Sequence, residues 1–175
     1  MDQKRKVVLY IATSLDGFIA GKDDDLSWLS SVERPGEDYG YAEFVKNVDT
    51  VIMGRKTYDV VLSFGIEFSH KDRKCYVLSR SKSGSDGQVD FYNGDVRELI
   101  DQLKKEEGKN IFIDGGAEAV KVLREHDLID EYVISIIPVF LGSGIRLFQE
   151  MDHGKKLTLE SCETFESGLV QLRYT

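Results

Sequence analysis

The stretch that most limits what this chain can fold into is Asn110–Arg124. Asn110-Ile111-Phe112-Ile113-Asp114 is a short apolar run suited to a buried strand. Gly115-Gly116 follow, and then Ala117, Val120, Lys121, Val122 and Leu123 distribute apolar positions as a helix does. Strand, two glycines and helix form an anion-binding architecture. The helix start presents unpaired N–H groups and the positive end of a dipole, and glycine admits a ligand to the backbone. The same pattern also serves as a plain tight turn.

Two further strand ends decide between these readings. Thr50-Val51-Ile52-Met53 reads as a strand and runs into Gly54-Arg55-Lys56-Thr57, which offers a glycine, two cations and a hydroxyl at a helix start. Lys74–Ser79 reads as another strand, with Arg80, Ser81 and Lys82 just past it. Three donor-rich strand ends in one chain point to an anionic cofactor. Neither G-x-G-x-x-G after a strand nor G-x-x-x-x-G-K-[ST] occurs.

The remaining segments fit one plan. Val7–Ala12 is a continuous apolar run, and Ser14–Gly21 leaves it as a loop. Asp23 and Asp25 resemble the start of a calcium loop but lack the rest of it, so a solvated loop is expected. Tyr41, Phe44, Val45 and Val48 have helical spacing, as do Val96, Leu99, Ile100 and Leu103. Val89–Tyr92 reads as a short strand and Tyr132–Phe140 as a long one interrupted by Pro138. Leu157–Glu163 and Leu169–Tyr174 alternate like an antiparallel pair. The expectation is a single α/β domain over residues 1–175, with a mostly parallel central sheet, flanking helices and a C-terminal antiparallel hairpin. Ligands of such sheets bind beyond the strands' carboxyl ends.

Net charge is -8 over 175 residues, which argues against a general nucleic-acid or anionic-membrane surface. Cys75 and Cys162 provide no disulfide framework and fit a reducing cytosol. His70, His126 and His153 have no metal spacing, so no metal site is expected.

Met53–Tyr58, Val77–Arg80 and Ile113–Gly116 resemble the motifs of dihydrofolate reductase, in its order. Ser14–Ala20 and Pro138–Phe148 are more similar to the reductase domain of the bifunctional riboflavin-biosynthesis deaminase-reductase. The resemblance covers nearly the whole chain and implies a dihydrofolate reductase-like fold, NADPH as cofactor and a small heterocyclic substrate. By this resemblance Ala12 and Ile19 line the nicotinamide. Gly54, Arg55, Lys56 and Thr57 hold the pyrophosphate and 2′-phosphate, and Ser79 and Arg80 clamp the adenosine phosphate. Gly115 and Gly116 match a pair joined in the family by a cis peptide. Trp28 and Phe44 match pocket-lining positions, and Ser135 matches a residue that supports the catalytic acid. That acid falls at Asp38, with Glu43 and Asp16 as rivals, and is expected to be buried so that it holds its proton.

The activity implied is reduction of a pteridine- or pyrimidine-like compound, of the type of 5-amino-6-(5-phosphoribosylamino)uracil. The alternatives are a dihydrofolate reductase and a non-catalytic nucleotide-binding or scaffold protein. The chain departs from the riboflavin type by having Tyr10 at a lysine position and Arg55-Lys56-Thr57 in place of a glycine-rich segment. The apolar tail hairpin and the Tyr132–Phe140 strand suggest a covered sheet edge, and hence a homodimer, as in riboflavin-type reductase domains.

Overall fold

The structure, a computed structural model, describes residues 4–65 and 67–175. The chain runs β1 (Val7–Ser14), β2 (Phe18–Ala20), α1 (Tyr41–Lys46), β3 (Val48–Gly54) and α2 (Arg55–Ser63). Then come β4 (Lys74–Leu78), β5 (Gly84–Ser85), β6 (Asp90–Tyr92), α3 (Val96–Lys105), β7 (Asn110–Gly115) and α4 (Ala117–Glu125). It ends with β8 (Glu131–Ile137), β9 (Ile145–Arg146), β10 (Leu159–Thr164) and β11 (Val170–Tyr174). Short 3-10 turns at Lys22–Asp24 and Ser27–Val32 lie between β2 and α1.

A 9-stranded sheet has the order β10-β11-β8-β1-β7-β3-β4-β6-β5. From β8 to β6 neighbouring strands are parallel, and β11, β10 and β5 are antiparallel additions at the two sides. The parallel strands are apolar on both faces because helices cover both. Ile52, Ile111 and Ile113 pack under α3 and α4, while their neighbours Val51, Met53 and Phe112 pack towards α1 and α2. In α3 the i, i+3, i+4, i+7 set is buried, and Asp95 caps its start by accepting from the Arg97 amide at 2.8 Å.

Three local expectations change. β8 stops at Ile137, short of Phe140, since Pro138 has no N–H to continue the ladder. The segment expected as a plain loop contains β2, which pairs with β9 in a small second sheet. Gly144 makes this approach possible: at φ +138, a Cβ there would lie 2.1 Å from the Ala20 carbonyl oxygen. Finally, β8 is an interior strand between β11 and β1, with Val133, Ile134 and Ile137 buried. The edge strand is β10, whose residues are mostly exposed and polar.

Candidate active site

The parallel sheet parts at one place. β1 pairs with β7 only over Val7–Leu9 and Ile111–Ile113. Beyond Leu9, β1 continues on β8 as far as Ser14, and β7 continues on β3 as far as Gly115. The carboxyl ends of β1 and β7 therefore frame an opening, at the end of the sheet where α/β folds bind ligands.

One side of the opening is built from backbone amides and cations. α2 starts after Gly54 and α4 after Gly116, and neither first turn has a side-chain cap or, in α2, an acidic residue. Their free N–H groups thus remain for a ligand. The two starts nearly touch: a Cβ on Gly54 would lie 3.6 Å from the Gly116 nitrogen, and one on Gly116 would lie 2.8 Å from Thr57 Oγ1. Gly115 has φ +99, and the Gly115-Gly116 peptide is cis.

Around these amides stand Arg55, Lys56, Arg80 and Lys82. Arg55 pairs with Asp59 at 2.8 Å, Lys56 with Asp24 at 2.8 Å, and Arg80, 95% exposed, reaches Glu118 at 3.5 Å. Lys82 lies 4.1 Å over the Phe91 ring. Exposed pairs of this kind hold about 0–1 kcal/mol, so a phosphate can compete for each cation. Ser79 Oγ accepts from the Lys82 amide at 3.0 Å, which shapes the turn carrying Arg80. Ile19, in β2, is half-buried against the α3–α4 core.

On the other side of β1 lies a cavity of about 730 Å³. Its floor is Tyr10 and Ala12 of β1 with Ser135 and Ile137 of β8. Leu29, Val32 and Leu169 form the walls, and Glu33, Arg34, Glu37 and Asp38 stand at the rim. Gln171 knots the floor together: its Nε2 lies 3.0 Å from Ser135 Oγ and 3.1 Å from both the Tyr10 hydroxyl and the Tyr39 carbonyl. Tyr10 itself donates to the Tyr39 carbonyl at 2.7 Å. Burial pushes the Tyr10 phenol upward, the Gln171 hydrogen bond opposes this, and Asp38 adds to it.

The three candidate acids separate. Asp38 lines the cavity, but it is exposed rather than buried, which corrects the expectation of a buried acid. Its carboxylate accepts from the Gly40 and Ala42 amides at 3.0 and 2.9 Å and so caps the start of α1. Glu43, 73% exposed, pairs with Lys46 at 2.8 Å and lies outside the cavity lining. Asp16 accepts from Ser14 Oγ and from the Leu141 and Gly142 amides, and so ties two loops together. The Ser14 hydrogen bond and those amides hold its carboxyl down at about 2, which suits an anchor and not a proton donor.

Neither Trp28 nor Phe44 lines the cavity. Trp28 packs behind Val32 and Leu169, and Phe44 stacks on Tyr10 at 4.5 Å. Sequence reasoning missed Gln171, Tyr39, Leu29, Val32 and Leu169. Gln171 carried a signal, since it shares the buried alternation of Leu169 in the tail strand. It also missed His70, 2% exposed, whose Nε2 is 3.1 Å from Asp114 Oδ2, immediately before the glycine pair.

The sheet order, the opening after β1 and β7 and the glycine pair define a dihydrofolate reductase-like protein. Enterococcus faecalis dihydrofolate reductase, solved with NADP(H), superposes with a TM-score of 0.62 at 18% identity, covering 98% of this chain and 96% of that one. Within that class the chain belongs to the RibD C-terminal domain family, which it matches over residues 5–171. It is 46% identical over 172 residues to the uncharacterized protein YwjB of Bacillus subtilis (strain 168), covering 98% of each. A crystal structure from Shewanella sp. PV-4, provisionally named a riboflavin biosynthesis protein, has a TM-score of 0.90 at 33% identity over 97% of both chains. The Thermotoga maritima diaminohydroxyphosphoribosylaminopyrimidine deaminase/5-amino-6-(5-phosphoribosylamino)uracil reductase superposes at 0.73 with 14% identity. There 98% of this chain covers 56% of that one.

Proposed function

We propose that this protein is an NADPH-dependent reductase of a pteridine- or pyrimidine-like heterocycle. The observation that carries the reading is adjacency: β1 separates an amide- and cation-lined opening from a heterocycle-sized cavity, and Ala12 stands at the boundary. The residues present fit NADPH. The amides at the starts of α2 and α4 would hold the pyrophosphate, Arg55 and Arg80 the 2′-phosphate, and the bare backbone at Gly116 gives close approach where a Cβ would collide.

When bound, NADPH supplies the hydride. The chain then has four tasks. The ends of β1 and β7 orient the nicotinamide. The apolar walls Leu29, Val32 and Leu169 exclude water around the heterocycle. Tyr10 and Ser135 hydrogen-bond its ring edge. Asp38, at the rim, relays a proton from solvent through a water to the nitrogen that takes up the C=N electron pair as hydride adds to the neighbouring carbon.

The rival reading, a non-catalytic nucleotide-binding protein, draws support from the exposure of Asp38. NADPH titration by fluorescence quenching, followed by NADPH consumption with a panel of heterocycles, separates the two: binding without any turnover selects the rival. We also propose a cytosolic homodimer. Phe140, 76% exposed beyond the end of β8, and Leu159, 52% exposed at the start of edge strand β10, are separate exposed apolar residues that a partner copy would cover. A monomeric mass by light scattering at micromolar concentration would contradict it.

A further inference from the structure

We infer that the cavity takes an unphosphorylated heterocycle, neutral or cationic, and discriminates against a phosphorylated one. This rests on the reductase reading and names the substrate class of that site. The floor is uncharged: Tyr10 and Ser135 line it with hydroxyl groups, and the Gln171 carboxamide donates to both from behind. Gln171 is only 9% exposed, so the floor's shape is fixed from below.

Charge enters only at the rim. Glu33, Glu37 and Asp38 bring three carboxylates against the single guanidinium of Arg34. Arg34 already donates to the Glu33 carbonyl at 2.8 Å. The Glu37 carboxylate accepts from the Tyr39 amide at 2.7 Å, which holds it at the mouth. Arg173 and Glu163, outside the cavity lining, are of opposite sign, and Arg173 is paired with Glu131. Among the described residues, no lysine lines the cavity.

A phosphate needs several donors of positive charge or free backbone amides. Here it would meet a net excess of carboxylate, and like charges brought together select against a ligand more strongly than they weaken one that lacks the charge. A cationic or neutral ring edge meets no such opposition. The uncapped helix starts of α2 and α4 lie in the opening on the other side of β1, where the cofactor's own phosphates would occupy them.

The test is calorimetric titration of the full chain, with and without NADPH, using a matched pair: 5-amino-6-(5-phosphoribosylamino)uracil and the same compound without its phosphate. The unphosphorylated member is expected to bind about tenfold or more tightly than its partner. In the double variant Glu33→Gln, Glu37→Gln the gap should shrink towards equality. Equal or tighter binding of the phosphorylated member to the unmodified protein overturns the inference, as does failure of both to bind. The reductase reading fails separately, through absent NADPH binding or absent turnover of the member that binds.

Discussion

The opening and the cavity share strand β1 and differ in almost everything else. The opening is made of backbone amides, glycines and four cations, and its parts come from short segments that directly follow strands. The cavity is made of apolar walls, a neutral hydrogen-bonded floor and a rim richer in carboxylates than in cations, gathered from residues 10–12, 29–39 and 135–169. One is suited to a polyanion of fixed shape, the other to a flat uncharged ring. Four of the chain's 23 lysines and arginines stand at the opening, so an anion there would meet local positive charge despite the net charge of -8.

The largest expected effect lies on the cavity side. Asp38→Asn should slow hydride transfer by about 10²-fold or more, with NADPH affinity nearly unchanged. Normal turnover in this variant, with a defect in Glu43→Gln instead, would place the proton source outside the cavity.

Next comes the opening. Gly116→Ala puts a Cβ 2.8 Å from Thr57 Oγ1 and should weaken NADPH by about tenfold or more, or ~1.4 kcal/mol. Binding of the unphosphorylated heterocycle should be preserved. If both ligands are lost together, the two regions are not separable as described.

Removing Arg55 and Arg80 together should weaken NADPH by about tenfold relative to NADH, since both guanidiniums are exposed and two exposed ion pairs with the 2′-phosphate hold about 1 kcal/mol each at most. Equal losses in a fluorescence titration would count against their assignment.

The smallest effect concerns the loops beside both regions. Asp16 has its folded pKa depressed to about 2, against about 3.9 for an unperturbed aspartate. Its stabilising contribution is therefore complete above about pH 4 and lost as pH falls through about 2. Asp16→Asn should lower Tm at neutral pH, and the gap to the unmodified protein should close on acidification. A gap that persists unchanged at low pH would show that the carboxylate's charge is not what ties Ser14 to Gly142.

How much of this was legible in the sequence follows the same division. Continuous apolar runs mark β1, β3, β4 and β7, and the glycines and basic residues right after them mark the opening, because adjacency in sequence there is adjacency in space. The cavity is different. Its floor depends on register, which sets Gln171 opposite Ser135 across β8 and β11, and its wall depends on a 3-10 turn with no strong period. Trp28 and Phe44 match pocket-lining positions by resemblance, yet Trp28 packs behind the wall and Phe44 stacks on the floor residue Tyr10. Asp38 lines the cavity while its carboxylate accepts from the Ala42 amide at the start of α1, so the helix start places it there. β2 and β9, three and two residues long and far apart in the chain, carry too little periodicity to be read at all.

The central claim, that β1 divides a cofactor site from a substrate site, is tested most directly by a crystal structure of the protein soaked with NADPH. The account predicts phosphates on the amides of Gly54–Thr57 and Gly116–Ala117, the 2′-phosphate at Arg55 and Arg80, and the nicotinamide between Ala12 and Gly115, with the acid-rimmed cavity left open beside it. A nucleotide lying in the Tyr10–Ser135 cavity, or bound away from both glycine-led helix starts, would contradict it.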